Sequence, residues 1–73
     1  MERHFMSRTS AVALLVDARA ALTELLRESS AHEATQHERM LKTIERLLLD
    51  VRVGRTNEFD LEYPTFVHVI VSD

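Results

Sequence analysis

The residues able to do chemistry in this chain are four histidines and twelve carboxylates, with no cysteine. Two of the histidines stand in the run His32-Glu33-Ala34-Thr35-Gln36-His37. A helical zinc site with a catalytic Glu needs its histidines at i and i+4. Here the spacing is i and i+5, which turns the second ring about 140° away from the first on a helix. Glu33 and His37 do share a face, but one His and one carboxylate make a weak metal site without further ligands. Glu33 has a plainer use. In Ser30-Ala31-His32-Glu33 it matches the N3 partner of a capping box, with Ser30 as the N-cap. His37 then reads as a seam residue near the end of a helix pair.

His68 lies inside the apolar run Phe66-Val67-His68-Val69-Ile70-Val71. A catalytic His needs a nucleophile, or a carboxylate oriented toward it. Asp60 or Glu62 could supply the carboxylate from a paired strand, and Tyr63 and Thr65 are near in sequence. No Ser/His/Asp spacing recurs, and there is no Gly-rich loop. His68 therefore reads as a strand residue facing solvent or a subunit boundary. Glu58, Asp60 and Glu62 form a row on one strand face, spaced about 6.6 Å apart. Such a row is commonly just a solvated face; its functional reading is an acidic strip for a basic partner surface. Catalytic, metal and cofactor sites are accordingly expected to be absent.

Charge points the same way. The net charge is −3, with all nine Lys and Arg before Thr56. Arg3, His4, Arg8, Arg52 and Arg55 are the only basic concentration. Without aromatic stacking residues or a recognisable nucleic-acid fold, they make a poor case for phosphate binding. A helix-turn-helix reading also fails, because Glu33 and Glu38 would repel phosphates from the second helix.

The elements that must position these residues divide at Gly54, the single glycine. Residues 9–53 hold no Gly or Pro and carry apolar residues at helical spacing. Ala11, Leu15, Ala18, Leu22 and Leu25 step +4, +3, +4, +3, one helix face. His37, Leu41, Ile44, Leu48 and Val51 repeat those steps. Between the two seams the phase is lost, which predicts a turn near Ser29-Ser30 and an αα-hairpin. One continuous helix with a phase shift is the alternative. The first helix is expected to start near Thr9 or Ser10 as N-cap. Gly54 is the expected left-handed residue past the second helix.

After Gly54, Phe59, Leu61 and Tyr63 alternate with acids as a half-buried strand. Pro64 ends it with a turn, and Phe66–Val71 follows as a strand apolar on both faces. The fold class is therefore α+β, in one small domain spanning residues 1–73. An antiparallel αα-hairpin is followed by a short C-terminal β-hairpin or strand pair, completed by dimerisation. A domain of this size is marginal alone. A partner subunit is the expected remedy, since disulfides are excluded. The interface residues expected are Val12, Val16, Phe66, Val67, Val69 and Val71. Leu49, projecting from a polar helix face, joins Glu58, Asp60 and Glu62 as the expected partner-binding set.

No apolar run reaches the roughly 18 residues that a membrane span needs, and the start lacks a signal-peptide pattern. A cytoplasmic location is expected. In size and composition the chain is similar in general terms to small regulators and inhibitors of bacterial mobile elements, which identifies no family. The function expected is a small non-enzymatic protein-interaction module, a homodimeric regulator or inhibitor occluding a protein partner. The alternatives are a small hydrolase using His37 or His68 with nearby carboxylates, and a nucleic-acid-binding regulator.

Overall fold

The computed structural model describes residues 2–72. In chain order they form β1 (Glu2–Met6), α1 (Arg8–Glu28), α2 (Ala31–Arg52), β2 (Glu58–Leu61) and β3 (Val67–Val71). The fold is α+β: a helical hairpin packed on one face of a three-stranded mixed sheet. Strand order is β1-β3-β2, with β3 central.

The helical hairpin follows from its apolar seams. Ala11, Leu15, Ala18 and Leu22 of α1 meet Ile44, Leu48 and Val51 of α2, all buried. Leu25, Met40, Leu41 and Leu47 are half-buried around them, as are Val12 and Val16. The turn falls at Ser29-Ser30, not inside a continuous helix. The Ser30 hydroxyl accepts from the Glu33 amide at 3.3 Å, and the Glu33 carboxylate accepts from the Ser30 amide at 3.3 Å. That is the reciprocal capping box, and it satisfies two donors with no intrahelical partner. Ser30→Ala is expected to cost about 0.5–2 kcal/mol. Glu33→Ala should cost less, and the pair should be less than additive. Urea titrations of the two single variants and the double variant test this; a gain in stability for Ser30→Ala would contradict the cap.

At the far end α2 stops where Gly54 takes a φ of +80°, the left-handed conformation that an L side chain resists. The Gly54 amide donates to the Val51 carbonyl at 3.1 Å. Leu49 on the outer side of α2 and Val53 at its C-cap are 62% and 65% exposed.

The N-terminal segment corrects the sequence reading. Residues 2–6, in which the sequence showed only the basic Arg3 and His4, form strand β1, parallel to β3 in the register Glu2↔Val67 through Met6↔Val71. Because Met6 still belongs to the strand, the chain enters the helix in one step. Ser7 is therefore the N-cap in place of Thr9 or Ser10, its hydroxyl accepting from the Ser10 amide at 3.1 Å. The C-terminal strand pair thus becomes the antiparallel β2–β3 half of a larger sheet, in the register Glu58↔Ile70 through Leu61↔Val67. Strand β2 ends at Leu61, so Glu62 and Tyr63 belong to the turn before β3.

The helices run 21 and 22 residues, about 32 Å at 1.5 Å per residue. Strands of four or five residues span about half of that. The six residues of each helix nearest the turn accordingly contribute no fully buried side chain. The shortest extent of the molecule is 14 Å, which accommodates one helix layer and one sheet layer.

Candidate functional site on the open face of the sheet

Side chains alternate across a strand, and register partners share a face. Val69 is fully buried, and Phe59 and Leu61 beside it are 6% and 2% exposed, so these point to the helices. Val67, Val71 and Met6 are half-buried on the same side. The residues between them face away. His68 and Ile70 of β3 are flanked by Arg3 and Phe5 of β1 and by Asp60 and Glu58 of β2. The outer face is thus a grid of two rows, Arg3·His68·Asp60 and Phe5·Ile70·Glu58. Phe5 is 67% exposed, and Phe66, two residues before His68, is 48% exposed.

The interface set read from sequence divides here. Phe66 is free to meet another molecule. Val69 belongs to the core of the single chain, and Val67, Val71, Val12 and Val16 pack in part against that core. The reason is the pleat. A two-faced apolar strand shows which residues are apolar but not which parity the helices cover.

His68 is the chemical centre of this face. Its Nδ1 lies 2.6 Å from Asp60 Oδ1 and its Nε2 lies 2.5 Å from Glu58 Oε2. A carboxylate can only accept, so each ring nitrogen must donate and the arrangement selects the imidazolium. The hydrogen bond to Asp60 first, and that to Glu58 second, raise the His68 pKa above its ordinary 6.5, against a smaller lowering by desolvation. Of the three sequence-derived acids, Glu58 and Asp60 each commit one carboxylate oxygen to His68. Glu62 remains exposed in the turn. The sequence placed Asp60 within possible reach of His68 and missed Glu58. The alternation of acids at 58 and 60 opposite a single strand His was the available signal.

The pairing makes folding stability depend on pH in a definite sense. The folded pKa is raised, so the stabilisation is fully present below the unfolded value of 6.5 and is lost as pH rises through the folded value. Urea unfolding at a series of pH values should show stability falling across that window, with His68→Gln flattening that part of the curve. An unchanged slope in His68→Gln would show that the pair does not form in solution.

The other histidines sit elsewhere. His37 Nδ1 lies 2.6 Å from the Ser29 hydroxyl, which also donates to the Leu25 carbonyl at 2.8 Å. With its one proton used there, the hydroxyl can only accept from His37, a contact that ties the hairpin turn. His4 Nε2 lies 3.3 Å from Glu2 Oε2 at the sheet's edge. His37 and His68 lie in different layers and do not converge. Among the described residues no group of three or more His, Asp or Glu is arranged to hold a metal ion.

The basic residues are scattered by the fold. Arg8 donates to the Val51 carbonyl and to Asn57 Oδ1, each at 2.6 Å. Arg55 pairs with Asp50 at 3.2 Å. Arg3 alone faces outward with the His68 cluster. A groove of about 970 Å³ runs beside β2, lined by His32, Gln36, Arg39 and Met40 of α2 and by Glu62 and Tyr63. No helix among the described residues is long and apolar enough to cross a membrane.

A family model described as "Uncharacterized protein BTH_I2711-like" matches residues 2–72. No curated protein and no solved structure matches the chain.

Proposed function

We propose that this chain, which belongs to the BTH_I2711-like family, is a non-enzymatic protein-interaction module that acts as a homodimeric regulator or inhibitor and occludes a protein partner. The observation that carries the reading is the sheet face remote from the helices. It presents the exposed Phe5 and Phe66 and the half-buried Ile70 around a carboxylate-paired His68 instead of an all-polar surface. Antiparallel and mixed sheets with one solvated face normally make that face polar. Exposed aromatic groups with an adjoining charged rim are what an interaction surface carries.

The same cluster argues against the hydrolase reading. A general base needs a free lone pair within reach of a substrate proton. Both ring nitrogens of His68 are engaged by carboxylates, so His68 has none to offer. The nucleic-acid reading loses Arg8 to contacts within the chain, with the Val51 carbonyl and Asn57. For the occluded partner, the surfaces on offer are Leu49 with Val53 on the helix layer and Glu62 beside the groove. A chain without cysteine suits the reducing cytoplasm.

The test is the oligomeric state of the full chain by sedimentation equilibrium in the micromolar range. A concentration-dependent dimer is expected. A monomer that stays well folded at every concentration would remove the homodimeric reading.

A further inference from the structure

We propose that two copies of this chain pack their open sheet faces together, with Arg3 of each copy opposite Asp60 of the other, and that protonated His68 licenses the contact. The proposal rests on the homodimeric reading and deepens it by naming the face, the orientation and the controlling group.

The argument starts from the arrangement of charge across the grid. The outer face has a basic and aromatic column on β1 (Arg3, Phe5), a central column on β3 (His68, Ile70), and an acidic column on β2 (Asp60, Glu58). Consider a two-fold axis parallel to the strands and passing over β3. It sets β1 of one copy over β2 of the other without shifting the rows. Arg3 then meets the opposite Asp60, twice by symmetry, and Ile70 meets Ile70. Phe5 lies over the aliphatic stem of the opposite Glu58. A two-fold axis across the strands does the reverse, placing each Asp60 over a Glu58 and Arg3 over Phe5. The face is therefore self-complementary in one orientation and self-repelling in the other. Aligned packing of two sheets at about 10 Å is an ordinary sandwich geometry. An isologous contact of this kind closes on itself and leaves no further sticky face.

His68 controls the balance. The charged groups facing it are Glu58 and Asp60 from β2 and, from β1, Arg3 at its register position; the helices lie behind the sheet. With His68 protonated, two cations balance two carboxylates on each face, and desolvating them costs least. With His68 neutral, each face carries an uncompensated carboxylate, and two such faces repel as they lose water. Each His68 leans toward its own β2, so the two rings diverge from the axis instead of stacking like charges on it.

Sedimentation equilibrium on the full chain and on single variants decides the matter, with circular dichroism melts confirming that each variant folds. The dimer should weaken about tenfold or more between about pH 6 and about pH 9, and His68→Gln should abolish that pH dependence. At the lower pH, Arg3→Glu should weaken the dimer about tenfold or more by setting like charges opposite. Phe5→Ser should weaken it too without harm to the fold, since Phe5 is 67% exposed. Leu49→Ser, on the helix layer, should change nothing. A dimer unmoved by Arg3→Glu and Phe5→Ser, or one lost on Leu49→Ser, would overturn the face assigned here and leave the homodimeric reading standing. A dimer sensitive to Arg3→Glu but indifferent to pH would overturn the role of His68. A chain monomeric throughout would overturn both the packing and the reading beneath it.

Discussion

Val69→Lys is expected to abolish the cooperative thermal transition of this protein. Val69 is fully buried at the middle of the central strand, paired with His4 on one side and Phe59 on the other. Its side chain enters the core formed by Ala11, Leu15, Ile44 and Leu48. Two losses add there. The apolar burial removed is worth about 1.5–3 kcal/mol. An ammonium with no partner in a core costs about 3–5 kcal/mol more. A chain of 73 residues has a net stability of only about 4–11 kcal/mol at typical values per residue, so most of it is consumed. The neighbouring position supplies the control. Ile70 points to the opposite face, so Ile70→Lys should keep a cooperative melt. Circular dichroism melts of the two variants decide the case. Equal melting temperatures would mean that β3 does not present residue 69 to the helices.

Arg8→Ala is expected to lower the unfolding free energy by about 1.5–3 kcal/mol, the range for hydrogen bonds made by a charged group. Arg8 is the second residue after β1 and sits in the first turn of α1. Its guanidinium crosses to the other end of the molecule's connectivity, reaching the Val51 carbonyl near the C-terminus of α2 and Asn57 just before β2. A cation near that helix end also suits the helix dipole. The Asn57 carbonyl in turn accepts from the Val71 amide at 2.8 Å. One side chain thus ties α1, the α2–β2 loop and the edge of the β2–β3 ladder. Arg8→Lys should recover less than half of the loss, because an ammonium cannot present two fixed donors to two separate acceptors. Arg3→Ala, on the outer face, should stay within about 0.5 kcal/mol of the parent in monomer stability. Urea titrations under monomeric conditions make the comparison; equal losses at positions 3 and 8 would refute the structural role of Arg8.

The helical hairpin was legible in the sequence because each of its determinants is local. The two seams repeat at +4, +3 steps, the phase breaks at Ser29-Ser30, and the capping box spans only residues 30–33. Gly54 marked the end of α2 for the same reason, since a left-handed residue is required there whatever packs around it. The alternation at Phe59 and Leu61 also reported its buried face correctly.

Three features depended on tertiary structure. Strand β1 has no apolar alternation in Glu2-Arg3-His4-Phe5-Met6; it is a strand because β3 offers it a parallel edge across more than sixty residues of chain. The inward parity of β3 was marked in the sequence only by His68, because Phe66 and Ile70 on its face are as apolar as Val67, Val69 and Val71 on the other. The helix layer chose between them. The His68 cluster needed the β2–β3 register, since shifting that ladder by one residue would place Phe59 beside His68 and send the acids to the core side. Sequence alone determined the parts whose physics is contained within a few turns of chain. Pairing across the sheet decided which charges are free, which are spent on the fold, and which one histidine they hold.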